Sequence, residues 1–403
     1  MTVWRQSGTV WLGAVAAAGL ALLTQILLAR NLDDETFGAL SNAYAIAILV
    51  ATFAFQGLGE VALRNLAVVD LGRCVVAAGF LLTIALAAGI AWTGWTGEAG
   101  STPGLLLAFI PFVVVQAGLT AGMISFQLER RNLGIAAWPA GFQTARLAVV
   151  GLVIVTGAAA VAVPIGWFVA LTPLAWIGLR RLHAAKQRAD LEERATAIPG
   201  LVRAALPFSA TRLLEFAEIQ LPVVLAMPLL GAAETGRIAA CLAIVTGLLL
   251  LPISIFQRLL RAGFHDWARD DPAQLRRAGL LGAAAMAVAG AGLGLAIRPF
   301  ASTILGSVFG EQFTDATGFL ESMMVLLPIW FASIAINATL VSPRLADLRF
   351  GCQAVGVAIL VGGSWFGGPG TDGIVTGMFA SQIFLLGSGI LLATIRRPSA
   401  NRD

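Results

Sequence analysis

Long apolar runs separated by short polar turns dominate this chain. A helix needs about 20 apolar residues to cross a hydrocarbon core of ~30 Å. Twelve runs approach that length, at about 8–30, 37–61, 74–96, 103–127, 135–157, 160–180, 204–230, 237–259, 278–297, 317–342, 350–367 and 373–395. The pattern predicts an all-α polytopic membrane protein with twelve spanning helices. The first run follows Arg5. It is longer than the roughly 7–15 residues of a signal-peptide core and lacks a clear cleavage site, so it reads as a span. The weakest break lies between spans five and six, where TGAAAVAVPIG offers only small residues and Pro164 as a turn.

Composition supports the pattern. Of the 403 residues, 58% are hydrophobic and 12% charged, against roughly 45–50% and 25% in soluble domains. That ratio excludes a water-soluble surface of the required size. The basic residues test the topology. With the N-terminus in the cytoplasm, 21 of the 26 Lys plus Arg fall on the cytoplasmic side and 3 outside, while Arg146 and Arg212 lie within spans. This asymmetry is the positive-inside pattern. It predicts an inner (plasma) membrane location with both termini cytoplasmic. It also explains the net charge of +4 without a nucleic-acid partner.

The longest polar interruption, residues 180–205, divides six spans from six. The expected organisation is an N-terminal six-helix bundle (1–180), a charged cytoplasmic linker (181–203) and a C-terminal six-helix bundle (204–403). A shift of 198 residues aligns the halves weakly: Leu27, Leu32, Gly38, Ala45 and Ile46 meet Leu225, Leu230, Gly236, Ala243 and Ile244. Both halves enter the membrane from the same side, so the expected relation is a parallel repeat with pseudo-two-fold symmetry.

Several chemistries are missing. The single lysine, Lys186, is in no phosphate-binding loop, and GAGLG at 290–294 sits inside an apolar run rather than after a strand. No serine-elbow or paired-histidine zinc motif occurs. Cys74, Cys241 and Cys352 lie in apolar stretches without metal spacing, and His183 and His265 stand in charged loops. No cofactor or metal is expected. The enzymatic alternative is a membrane glycosyltransferase or polymerase using Asp33, Asp34 and Glu35. The plainer reading of that triplet is an interfacial turn capping span two.

Charged residues at membrane depth are costly and mark a cavity or a partner. In span seven, Thr211, Glu215 and Glu218 share one helix face, Arg212 stands three residues before Glu215, and Pro222 predicts a kink. A hydrophilic cavity wall and an internal ion pair both fit. In span five, Arg146 falls near mid-membrane with Gln143 one turn earlier. Its guanidinium suits a pyrophosphate, or a structural pairing with Glu215 or Glu218. Gln56, Glu60 and Arg64 form a stripe at the cytoplasmic end of span two, either an ion pair or the lining of a mouth. Arg30 closes span one outside, and either snorkels to headgroups or grips an anionic lipid.

The stretch ILLARNLDDETFGALSNAYAIAILVATFAFQGLGEVALR resembles the opening of the oligosaccharide (O-antigen) flippases of the multidrug/oligosaccharidyl-lipid/polysaccharide exporter superfamily. The matching parts are Leu28–Ala29–Arg30, Glu35 to Gly38 and Gly57–Leu58–Gly59. LPFSATRLLEF, LLGAAETGRIAACLAI and VFGEQFTDAT resemble the second repeat. Where that family often has an aspartate in span seven, Pro222 stands here, with Gln220 and Glu218 nearby. The resemblance implies two six-helix bundles around a central cavity and a polyprenyl-pyrophosphate-linked oligosaccharide as substrate, with Arg146, Arg30 and Arg212 as candidates for its pyrophosphate. It implies polysaccharide biosynthesis, membrane lipids and polymerase or assembly proteins as partners, and a monomer that is not an enzyme. A cation-coupled drug antiporter of the same superfamily is the alternative. Those resemble machines with a carboxylate in the first helix, and span one here has none.

Overall fold

The computed structural model describes residues 2–57, 61, 102–129, 131–188, 198–260, 264, 267, 270–340 and 343–394. Among the described residues the regular structure is entirely helical. The helices are α1 (Thr2–Asn31), α2 (Asp34–Ala51), α3 (Thr102–Leu128), α4 (Asn132–Thr156), α5 (Ala162–Arg188), α6 (Ile198–Leu230), α7 (Ala232–Pro252), α8 (Pro272–Ile297), α9 (Ala301–Val308), α10 (Thr317–Asn337), α11 (Pro343–Phe366) and α12 (Thr371–Thr394). π-Helical turns extend α2 over Thr52–Gln56 and α7 over Ile253–Leu259.

Eleven spans among the described residues are long and apolar enough to cross a membrane, so the chain is a multi-pass membrane protein. They match eleven of the twelve expected spans. The remaining one, 74–96, lies outside the described residues, as does most of the linker beyond Arg188.

Local chemistry sets the breaks. The α4–α5 turn falls at Gly157, whose φ of 63° is left-handed. Gly157 N–H and Ala158 N–H return to the carbonyls of Ile154 and Val153, closing a glycine C-cap. Pro164 therefore lies in the first turn of α5, where its missing N–H costs nothing. α6 runs unbroken through Pro207, Pro222 and Pro228 and ends at Gly231, φ 86°.

Asp33 caps α2: its Oδ1 accepts from the Thr36 N–H at 2.7 Å and its Oδ2 from the Thr36 hydroxyl at 3.0 Å. The Thr36 amide holds the Asp33 carboxyl below its usual value of 3.8. A carboxyl with a depressed folded pKa contributes stability above its unfolded value, and that contribution fades as pH falls through the folded value. Asp33→Ala therefore lowers stability by about 1 kcal/mol at neutral pH, and the difference from wild type shrinks below pH ~4. Thermal unfolding of both proteins across that pH range measures it.

Two compact units divide the chain. The first comprises residues 1–243 and 305–315; the second comprises 244–304 and 316–403. α6 falls in the first unit because α2 packs along it. Within that unit α3 packs on α5, and α1 on α4. In the second unit α8 packs on α10, and α11 on α12. Glycines make these approaches close. Gly290 and Gly294 lie against the backbone of Leu327–Pro328 and Met324, and Gly363 lies against Gly377. Phe256, Phe264, Leu275, Ala332 and Ile336 form part of the second unit's core.

One close approach exposes the repeat. A methyl on Gly38 would strike the carbonyl oxygen of Ala232 and the amide of Gly236. A methyl on Gly236 would strike the carbonyl oxygen of Asp34 and the amide of Gly38. Residues 34 and 38 correspond to 232 and 236 under the same 198-residue shift. The contact is reciprocal, as a two-fold axis between α2 and α7 requires.

Candidate functional site

The intramembrane arginine of α4 sits in an aromatic cage within the first unit. Arg146 is only 5% exposed. Its guanidinium carbon lies 4.0 Å from the Trp167 ring centre, 4.9 Å from Tyr44 and 5.7 Å from Phe112. Its Nη1 donates to the Tyr44 hydroxyl and to Gln143 Oε1, each at 3.2 Å. The Trp167 indole N–H donates to the Arg146 carbonyl at 3.1 Å, tying α5 to α4. Phe109 packs edge-on against Phe112 and Trp167. Gln143 stands one turn before Arg146 on the same helix and accepts from it.

No carboxylate among the described residues pairs with Arg146, so the expected alternative of a bridge to Glu215 or Glu218 does not form. An arginine at membrane depth costs about 3 kcal/mol on insertion scales. A desolvated cation–π contact returns up to ~2 kcal/mol. Three rings and two neutral acceptors are therefore of the right size to hold the charge without a counter-ion. The Nε stays buried and unpartnered.

The polar face of α6 is partly open. Arg212 Nη1 bonds Glu215 Oε2 at 2.8 Å, with both side chains part-exposed. Glu218, one turn further, is also half-buried, and the Thr211 hydroxyl donates to the Pro207 carbonyl. The ion pair expected as one alternative thus forms, on a face whose side chains are part-exposed. At the other end of α2, Gly57 lies against Ala205 and Ser209 of α6, whose buried Oγ lacks a partner. Of the stripe expected there, Glu60 and Arg64 lie outside the described residues. Gln56 ends the π-helical turn, and its side chain is likewise not described.

Arg30 bonds the C-terminal end of α9. Its Nε donates to the Val308 carbonyl at 2.8 Å, and its Nη2 donates to the Ser307 carbonyl. A cation here satisfies the carbonyls at the negative end of α9. Nearby, Arg237 of α7 joins Glu234 at 2.6 Å and both Asp34 and Asp315 at 3.1 Å.

Sequence reasoning missed two residues. Tyr44, the only tyrosine in the chain, covers Arg146. Its rarity was a signal, but only the fold brings α2 onto α4. Arg237 looked like an ordinary external cation; its partners Asp34 and Asp315 stand far apart in sequence, and no local spacing reports them.

No family model and no curated protein matches the chain. Solved structures match over nearly its whole length. A multidrug resistance MATE family transporter of the MOP superfamily, inward-facing, has a TM-score of 0.67 at 12% identity, covering 96% of this chain and 98% of that one. The lipid II flippase MurJ, in an inward closed conformation, has a TM-score of 0.71 at 12% identity, covering 94% and 87%. A eukaryotic MATE transporter has a TM-score of 0.58 at 16% identity, covering 97% and 95%. The chain therefore has the fold of the MOP transporters, which is all-α with twelve helices in two pseudo-symmetric bundles.

Proposed function

We propose that this protein is a flippase that moves a polyprenyl-pyrophosphate-linked oligosaccharide from the cytoplasmic to the outer leaflet by alternating access, supplying polysaccharide biosynthesis. The observation that carries the reading is Arg146, a guanidinium at membrane depth that pairs with no carboxylate among the described residues. Such a charge leaves a positive potential in the first unit, and it favours a polyanionic head group over a cationic drug. Tyr44 accepts from Arg146, so its own hydroxyl proton is free to be donated onward. Tyr44 is half-buried and is the group through which the site meets a pyrophosphate. The Arg212–Glu215–Glu218 face of α6 supplies donors and acceptors for sugar hydroxyls, replacing the water they lose. The polyprenyl tail stays in lipid. Polymerase and assembly proteins receive the product outside.

A cation-coupled drug antiporter is the second reading, favoured by the fold shared with MATE transporters. Against it, the first span from Gly8 to Asn31 contains no Asp or Glu. Proteoliposomes discriminate. With the flippase, a fluorescent polyprenyl-pyrophosphate oligosaccharide loaded in one leaflet becomes accessible to a glycosidase on the other side in a protein-dependent way. Drug-cation efflux driven by a sodium or proton gradient, with no exposure of the oligosaccharide, overturns the proposal.

A further inference from the structure

We infer that the outer seam of the first unit is an electrostatic latch, in which Arg237 must release Asp34 and Asp315 before that face opens to discharge substrate. The inference rests on the transport reading above for its purpose, and on the cluster's geometry for its form. The latch occupies the face opposite the arginine-rich loops, at the start of α2, the start of α7 and the 305–315 segment.

At Gly38 and Gly236 the pseudo-two-fold contact is backbone against backbone, with no space for a Cβ on either helix. At that crossing the two helices can part without extracting a side chain. What holds it shut lies at the rim. Arg237 draws in one carboxylate from each side, Asp34 of α2 and Asp315 of the 305–315 segment, both at 3.1 Å. Its third partner, Glu234 at 2.6 Å, is on its own helix three residues away. When the seam opens Glu234 travels with Arg237, so the guanidinium is never left without a counter-charge. The side chains are part-exposed, and pairs in that setting are weak singly. A reversible catch needs that weakness.

The 305–315 segment acts as a strap over the same seam. Gly310, at a φ of 121°, turns the chain back after α9. Gln312 Nε2 then donates to the carbonyls of Ala29 and Leu32 at the end of α1, at 3.1 and 2.9 Å. Arg30 of α1 answers with its bonds to Ser307 and Val308. The Phe313 ring packs edge-on against Phe37 of α2, 5.6 Å between centres. Residues from both ends of the seam are thus tied by bonds that all break together when the strap lifts.

The test reads the seam directly. Cys74, Cys241 and Cys352 are replaced by alanine, and Thr235, fully buried beside Gly236, becomes cysteine. A membrane-impermeant maleimide is added from outside. Arg237→Ala is expected to raise the labelling rate at least about tenfold, and Asp315→Asn, a milder change at an exposed residue, about threefold. Unchanged rates in both folded variants overturn the latch. Separately, Arg237→Cys with Asp315→Cys is bridged by a short bis-methanethiosulfonate, each cysteine thiolate displacing a methanesulfinate to form a disulfide. Bridging is expected to stop translocation and reductant to restore it; translocation that continues while bridged also overturns the latch. Labelling needs no substrate. Faster labelling in a protein that flips no oligosaccharide keeps the latch and overturns only the assigned substrate.

Discussion

Arg146→Met leaves the protein folded and at least as heat-stable as wild type, yet lowers oligosaccharide translocation by roughly tenfold or more. Methionine matches the arginine stem in length and packs well against aromatic rings. Methionine removes the insertion cost of a guanidinium at membrane depth, about 3 kcal/mol, together with the cation–π contacts of up to ~2 kcal/mol that offset it. Stability therefore stays or rises. Transport falls, because in the proposed flippase the positive potential behind Tyr44 is what a pyrophosphate head group meets. Loss of one charge-assisted interaction of about 1.4 kcal/mol in the rate-limiting state is a factor of ten. Thermal unfolding in detergent and flux in proteoliposomes measure the two halves separately. A variant that is much less stable assigns Arg146 to architecture. Unchanged flux removes it from the site.

Gly38→Ala has the largest expected effect on stability. The added methyl meets the carbonyl oxygen of Ala232 and the amide nitrogen of Gly236. Both are backbone atoms, and neither can step aside as a flexible side chain would. Overpacking of this kind costs about 1–3 kcal/mol, and here α2 and α7 have to separate to relieve it. The internal control is Gly19→Ala in α1, where nothing lies within 4 Å of the added methyl. That change is expected to be neutral or stabilising by up to ~1 kcal/mol, since alanine is the better helix former. Parallel melting curves of the two variants check the contrast.

The membrane fold was legible because its cause is written locally. Twenty apolar residues between polar turns make a span whatever they pack against, and eleven of the expected spans recur in place. The turn between α4 and α5 was legible as a small-residue stretch, although Gly157, and not Pro164, makes it. The repeat was legible at Gly38 and Gly236, the one aligned pair whose chemistry the contact depends on. Arg146 and Gln143 could be paired from their spacing on one helix, and Arg212 and Glu215 likewise.

The remainder depends on contacts far apart in sequence. Arg146 could be placed at membrane depth, but its neutral surroundings of Trp167, Tyr44 and Phe112 come from three other helices. A carboxylate partner was an equally good expectation until those rings were seen. Arg30 faced lipid or substrate in the sequence. Its engagement with Ser307 and Val308 follows only from the strap that Gly310 folds back. Asp33 and Asp34 looked like one acidic turn, yet the first caps a helix and the second crosses to Arg237.

The α6 face offers the most direct measurement. Glu218→Cys in a cysteine-free background is labelled with a water-soluble thiol reagent, with and without polyprenyl-pyrophosphate oligosaccharide. The position is expected to react at a rate comparable to aqueous sites, and the lipid-linked oligosaccharide to slow it several-fold while a cationic drug does not. A position that never reacts, or one protected by the drug and indifferent to the oligosaccharide, contradicts the proposed flippase.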